Sequence, residues 1–362
     1  MKYEAVGLPL ADQSNNKIRP MLNIINTALS LITCVAIFSC DRPQAVTESQ
    51  RDHFARTDSG VQTGGVQIVP VKTPKGTFKV WTKRIGNNPR IKVLLLTGGP
   101  GLSHEYAECF ESFFPEEGIE FIYYDQLGCG YSDNPEDTSL FSLARSVDEV
   151  EQVRQALHLE KDNFYLWGHS WGGILAMEYA LKYQDHLKAL IISNMMASAD
   201  DYNRYADEVL AKQMDPKVLD TVRQIEQNKD YQNPKYMELL MAHFYPKHIL
   251  RLKEWPEPVL RSLSRINEAF YVSMQGPSEF GLSGKLEGWD VKAKLPSIEV
   301  PTLSIGGKYD TMDPEHMKWI AGQCKKGTYL FCPNGSHMSF YDDQQTYMQG
   351  LIGFIKQVDT GK

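Results

Sequence analysis

One stretch, Phe164–Gly173, constrains this 362-residue chain more than any other: it reads FYLWGHSWGG. Phe164–Trp167 is a short apolar and aromatic run suited to a buried parallel strand, and Ile174–Leu181 opens a helical pattern. Between them Ser170 stands in G-x-S-x-G, flanked by Gly168 and Gly172. Strand, motif and helix together describe a nucleophile elbow, a turn sharp enough to lift the serine hydroxyl above the sheet. Such a turn brings backbone against backbone, so a Cβ at position 168 or 172 would clash. The amide of Trp171 is then expected to face the same space as the Ser170 Oγ.

The chain on either side keeps an α/β rhythm. Gln67–Val71 and Phe78–Lys83 flank Pro74-Lys75-Gly76 and predict a hairpin. Lys92–Leu96 predicts a buried strand running into TGGPG (Thr97–Gly101), and Glu120–Tyr124 another running into DQLGCGYS (Asp125–Ser132). Ser142–Leu157 places Leu143, Val147, Val150 and Leu157 on one helical face, and Ala189–Ser193 predicts the strand after the elbow. The pattern returns near the end of the chain as strand 301–305, helix 314–324, strand 327–331 and closing helix 344–358. Strands alternating with helices predict a mostly parallel sheet covered on both faces. Between residues 199 and 286 no strand-like run appears, and prolines at 216, 234, 246, 256 and 258 break the helical patterns into short pieces. This segment is expected to form a helical cap inserted into a core of residues 66–198 and 287–362.

The first residues do not belong to that core. Lys17 and Arg19 precede an apolar run, Ala28–Phe38, that ends in Ser39-Cys40. A basic region, a short apolar region and a small residue before the cut describe an export signal. The run is shorter than the ~20 residues a spanning helix needs. Ser39-Cys40 resembles a bacterial lipobox, which would make residues 1–40 a signal peptide, Cys40 the lipidated first residue, and the location a membrane-anchored place in the bacterial cell envelope. An uncleaved anchor, or an ordinary signal peptide with an incidental cysteine, are the other readings. Residues 41–65 are polar and aperiodic and read as a tether. A net charge of −7 and 42% apolar residues are ordinary for a globular domain and give no sign of nucleic-acid binding. The remaining cysteines, Cys109, Cys129, Cys324 and Cys332, lack zinc-ligand spacing, and neither metal nor cofactor is expected. Export would permit a Cys324–Cys332 bridge; two free buried thiols are the alternative.

A serine hydroxyl needs a base, and the base needs an orienting carboxylate; in this topology the order is Ser…Asp/Glu…His. Asp310, in GGKYDTMDP, follows strand 301–305, and His337, in PNGSHMSF, follows strand 327–331. Both loops are expected at the sheet edge where Ser170 emerges. Asp313 directly precedes Pro314 and reads as a helix N-cap, which favours Asp310 as the orienting group. His169 is expected to pack, His243 and His248 to belong to the cap, and His316 to lie on a helix. In TGGPG the amide of Gly99, with that of Trp171, is expected to form the oxyanion hole. His104, just after that loop, has no evident role.

TGGPG, DQLGCGYSDNP at 125–135, GHSWGG at 168–173, the Asp310 and His337 loops and GPSEF at 276–280, in this order, resemble the proline iminopeptidases. The branch most similar is the tricorn-interacting aminopeptidase group of serine peptidases. The resemblance implies an α/β-hydrolase fold with a helical cap, running from about residue 66 to 358. It also implies removal of the N-terminal residue from short peptides with a free N-terminus, their α-ammonium held by cap carboxylates. Glu279, in GPSEF, matches that motif position; Glu238 and Glu254 are further candidates. The family's HGGPG here begins with Thr97, and Leu127 stands where arginine is common in DQRGxGxS, which leaves open how strictly proline is preferred. A carboxylesterase or lactonase with the same triad is the rival enzyme, and an inactive envelope binding protein the rival of another class.

Overall fold

The computed structural model describes residues 65–361, so the expectations placed on Cys40 and on the tether up to residue 64 lie outside the described residues. Eight strands form one sheet in the order β1-β2-β4-β3-β5-β6-β7-β8. β1 (Val66–Thr73) and β2 (Gly76–Ile85) make the hairpin, and β2 also runs antiparallel to β4 (Glu120–Asp125). From β4 onward every pairing is parallel: β3 (Lys92–Leu96), β5 (Phe164–His169), β6 (Ala189–Ser193), β7 (Thr302–Gly307) and β8 (Gly327–Cys332).

The central strands β3, β5 and β6 read as largely apolar runs because both faces are covered. Along β3, Leu94 and Leu96 point into one core with Ile122, Leu166 and Ile192, together with α1 (Leu143–Ala156) and α2 (Trp171–Tyr183). Val93 and Leu95 point into the other, with Phe121, Tyr165, Trp167 and Ile305. The two-residue period of the strand thus feeds two cores from one sequence. Alternating residues are buried in opposite directions, and the elbow between β5 and α2 is held from both sides.

Between β6 and β7 the chain is helical: α3 (Ala199–Tyr205), α4 (Pro216–Gln227), α5 (Pro234–His243), α6 (Tyr245–His248), α7 (Glu257–Ser264) and α8 (Glu268–Met274). The prolines do cut this stretch into short helices, but by starting them rather than ending them. Pro216 and Pro234 open α4 and α5, whose N-caps Asp215 and Asn233 accept hydrogen bonds from Lys217 N and Lys235 N. Proline lacks the N–H that a first turn leaves unpaired anyway, and its fixed φ suits a helix start. The core resumes with β7, α9 (Pro314–Gln323), β8, α10 (Ser339–Asp342) and the closing helix α11 (Gln344–Thr360). Cys324 and Cys332 are separate buried thiols, so the bridged alternative does not hold. No helix of the described residues is long and apolar enough to cross a membrane.

Candidate active site

Ser170 sits at φ 55°, ψ −124°, a backbone state that non-glycine residues adopt only when their surroundings enforce it. The surroundings do so here. A Cβ built on Gly168 would stand 2.0 Å from Gly172 O, and one on Gly172 would stand 2.1 Å from Leu96 O. Strand β5 therefore meets α2 and the end of β3 at backbone contact distance, and only glycine fits. Ser170 N donates to Ser193 O at 3.0 Å, and Ser170 O receives Gly173 N at 2.7 Å, which clips both ends of the turn.

The loop after β3 lies against the nucleophile: a Cβ on Gly98 would be 3.0 Å from the Ser170 Cβ. Gly98 N donates to Tyr106 Oη at 2.6 Å. Gly99 is buried at φ 105°, and no acceptor among the described residues takes its N–H. Trp171 N is the first amide of α2, one of those a helix leaves without an internal partner. These two donors are the ones expected from sequence. Gln126, which sequence reasoning passed over, ties the region together: its Nε2 donates to Thr97 O at 3.1 Å and its Oε1 accepts Trp171 Nε1 at 2.9 Å.

Asp310 and His337 come together from the loops after β7 and β8. His337 Nδ1 lies 2.7 Å from Asp310 Oδ1, and both side chains are buried. The carboxylate is held on every side: Met312 N donates to Oδ1 at 3.1 Å and Asn194 Nδ2 to Oδ2 at 2.7 Å. Asn194 directly follows β6 at φ 53°, and its amide also reaches Ser336 O and the Ser339 Oγ, each at 3.2 Å. It was not singled out in the sequence, although asparagine is, after glycine, among the residues that most readily take that backbone state. Burial acts to depress the His337 pKa, but the charge and hydrogen bond of Asp310 overcome it. With further help from Glu279 and Asp342 the net shift is upward. Asp313 caps α9 by accepting from Glu315 N at 3.0 Å and takes no part in this pair.

Two histidines close to the glycine loop and the elbow, His104 and His169, are also engaged. His104 N and Nδ1 both meet Asp125 Oδ1, at 2.7 and 2.9 Å, and the ring stacks on Trp81 at 4.5 Å between centroids. It therefore ties the segment after the glycine loop to the end of β4. His169 does more than pack: Nδ1 is 3.1 Å from Tyr106 Oη and Nε2 is 2.8 Å from His337 O.

The cap closes on this edge through backbone bonds. His337 N donates to His248 O and Met338 N to Ile249 O, each at 2.9 Å, and Asn267 N donates to Gly101 O at 3.1 Å. Of the cap glutamates, Glu238 and Glu254 are exposed, and their side chains make no hydrogen bond or ion pair among the described residues. Glu279 is set differently. Tyr271 Oη donates to its Oε1 at 2.6 Å, Tyr202 Oη donates to its carbonyl at 2.7 Å, and its N–H donates to Tyr245 Oη at 3.3 Å. It is half-buried. Burial pushes its carboxyl pKa up, partly offset by attraction to His337 and by the Tyr271 bond. The three tyrosines come from α3, α6 and α8, and nothing in their spacing marks them as partners of one residue.

A mostly parallel sheet with a serine at a strained elbow, an Asp–His pair on the loops after β7 and β8, and a helical insertion after β6 defines an α/β hydrolase. In agreement, the family model described as alpha/beta hydrolase fold matches residues 92–344. The proline iminopeptidase of Flavobacterium johnsoniae is 59% identical over 295 residues, covering 82% of this chain and 99% of that protein. The solved proline iminopeptidase of Mycobacterium smegmatis superposes with a TM-score of 0.73 at 26% identity, covering 82% of this chain and 99% of its own. The crystal structure of VinJ gives 0.75 at 26% identity, with 81% and 99% covered. The chain belongs to the proline iminopeptidase family of α/β hydrolases.

Proposed function

We propose that this protein is a serine exopeptidase that releases the N-terminal residue, proline or another, from short peptides. The observation that carries the reading is Glu279: a half-buried cap carboxylate whose charge acts on His337, the histidine that pairs with Asp310. In this reading the substrate's α-ammonium pairs with Glu279, which sets the first peptide bond over Ser170. His337 Nε2 takes the Ser170 proton as Oγ attacks the carbonyl carbon, and Asp310 stabilises the resulting imidazolium. The oxyanion receives the N–H groups of Gly99 and Trp171. His337 then gives its proton to the departing amine, and water attacks the acyl-enzyme by the same route in reverse.

Glu279→Gln keeps the side-chain shape and removes the charge. For a free aminoacyl arylamide, kcat/KM should fall by an amount equivalent to ~2–4 kcal/mol, as for breaking a buried charge pair. A small neutral ester should be hydrolysed nearly as before, and an N-acetylated arylamide should be poor with either enzyme. An equal loss on amine and ester substrates would make Glu279 structural. Wild-type cleavage of acetylated and free substrates at equal rates would favour the esterase reading instead. Chelators should leave the activity unchanged.

The order of basic residues, apolar run and Ser39-Cys40 supports an envelope enzyme lipidated at Cys40. The full chain should partition into detergent, and Cys40→Ala should release it or block its processing. Several acyl chains at ~0.8 kcal/mol per buried CH₂ hold firmly where one holds marginally. A wild-type protein wholly in the aqueous phase would overturn this.

A further inference from the structure

The histidine of the elbow occupies a position that the mechanism above does not use. His169 is buried directly before the nucleophile, and both ring nitrogens are engaged. The partners at the two ends settle the direction of every bond between them. Gly98 N–H can only donate, so Tyr106 Oη accepts it at 2.6 Å and turns its own hydrogen to His169 Nδ1, 3.1 Å away. His337 C=O can only accept, so His169 Nε2 carries the proton that reaches it at 2.8 Å. The two imidazole rings lie 4.8 Å apart, and a Cβ on Gly98 would stand 3.3 Å from His169 Nδ1.

We infer that His169 is a positioning residue: as a neutral Nε2–H imidazole it joins the oxyanion loop, through Tyr106, to the backbone of His337. One uninterrupted set of bonds, Gly98 to Tyr106 to His169 to His337, then sets the oxyanion donor and the base relative to the serine that follows His169. The residue need not touch substrate to matter, since small displacements of reacting groups are costly. The surroundings favour the required state. Burial holds the His169 pKa well below the ordinary histidine value, repulsion from a charged His337 adds to this, and the carbonyl bond opposes it only in part. A protonated ring would leave the Tyr106 hydroxyl, already occupied by Gly98, with no acceptor for its own hydrogen. Trp167, stacked on His169 at 5.8 Å and 11°, and Phe340, edge-on at 5.0 Å, keep the ring from turning out of line.

The proposal rests on the reading of Ser170 and His337 above, and Ser170→Ala separates the two: if it keeps turnover, that reading fails whatever His169 does. His169→Phe keeps a planar ring and removes both bonds. It should lower kcat on a neutral ester by about 10–100-fold with KM within about twofold. His169→Gln retains an N–H to give to the His337 carbonyl and should recover most of that loss. Tyr106→Phe, which cuts the link to Gly98 only, should lower kcat with the same unchanged KM. Melting temperatures of all three are measured alongside, because a merely structural residue would lose kcat only in step with folded protein. Imidazole ¹⁵N chemical shifts of the wild-type enzyme provide the check that needs no variant: His169 should remain a neutral Nε2–H tautomer from pH 5 to 8, while His337 titrates. A charged or Nδ1–H His169 in that range would overturn the inference, and so would wild-type kcat in His169→Phe or a His169→Gln no better than it.

Discussion

At the scale of single residues, the Asp310–His337 pair shows how opposing effects are resolved. A buried imidazole alone would resist protonation, yet the upward shift of His337 shows that the neighbouring carboxylate dominates. As the general base proposed above, His337 works only when unprotonated, so the acid limb of kcat/KM should lie above the ordinary histidine value. Asp310→Asn removes the charge and leaves burial unopposed. The limb should then move to lower pH while the plateau falls by about 10⁴-fold, the loss seen when a triad aspartate becomes asparagine. A neutral ester is the substrate to use, because Glu279 also loses its charge on the acid side. If the limb stayed in place, Asp310 would not be what sets the His337 pKa.

At the scale of elements, the strand–turn–helix unit is rigid because three backbones converge on two glycines. Gly172→Ala would drive a methyl group into Leu96 O, a backbone atom within the central strands that cannot step aside. The elbow would have to open or β3 to shift, with the glycine loop that β3 leads into. Expression of Gly172→Ala should yield little soluble protein, and any that folds should lack activity even on an activated ester. Gly353 is a useful contrast, since nothing lies within 4 Å of a Cβ placed there. Gly353→Ala, inside α11, should be neutral or stabilising by up to about 1 kcal/mol in a thermal melt.

At the scale of the whole molecule, cap and core behave as one body at the active edge. Besides the backbone bonds to the His337 loop, a charged contact joins α7 to the segment after the glycine loop. Buried Glu105 meets Arg261 Nε at 3.0 Å and Arg265 Nη1 at 2.6 Å, while Glu108 takes Arg261 Nη2 at 2.7 Å on both oxygens. The arginines are partly exposed, which moderates the cost of breaking the contact. Glu105→Gln should lower stability by about 1–3 kcal/mol, the range for a hydrogen bond to a charged group. Differential calorimetry of the two proteins at equal salt measures it. An unchanged melting temperature would mean that the contact exchanges freely with water and contributes nothing.

Local patterns were enough to read the sheet and the elbow, and to place Asp310 and His337 on the loops after β7 and β8, where they pair. Each rests on neighbours in the chain: an apolar run for a strand, glycines where backbone meets backbone, an aspartate before a proline for a cap. The strands at 66–96 and 302–332 lie within two or three residues of their expected bounds for that reason. The cap resisted the same reading. Its helices are short, so too few turns exist to show which face is buried, and Glu279 stands ahead of Glu238 and Glu254 only by its match to the GPSEF motif, not by any periodic pattern. What packing adds is a difference in setting: Tyr271 bonds the Glu279 carboxylate, and Tyr202 and Tyr245, from two other helices, bond its backbone. The roles of His104, His169 and Asn194 were likewise decided in the folded chain. Their partners lie 21, 168 and 116 residues away, and a hydrogen bond over such a separation leaves no periodic trace in the sequence that forms it.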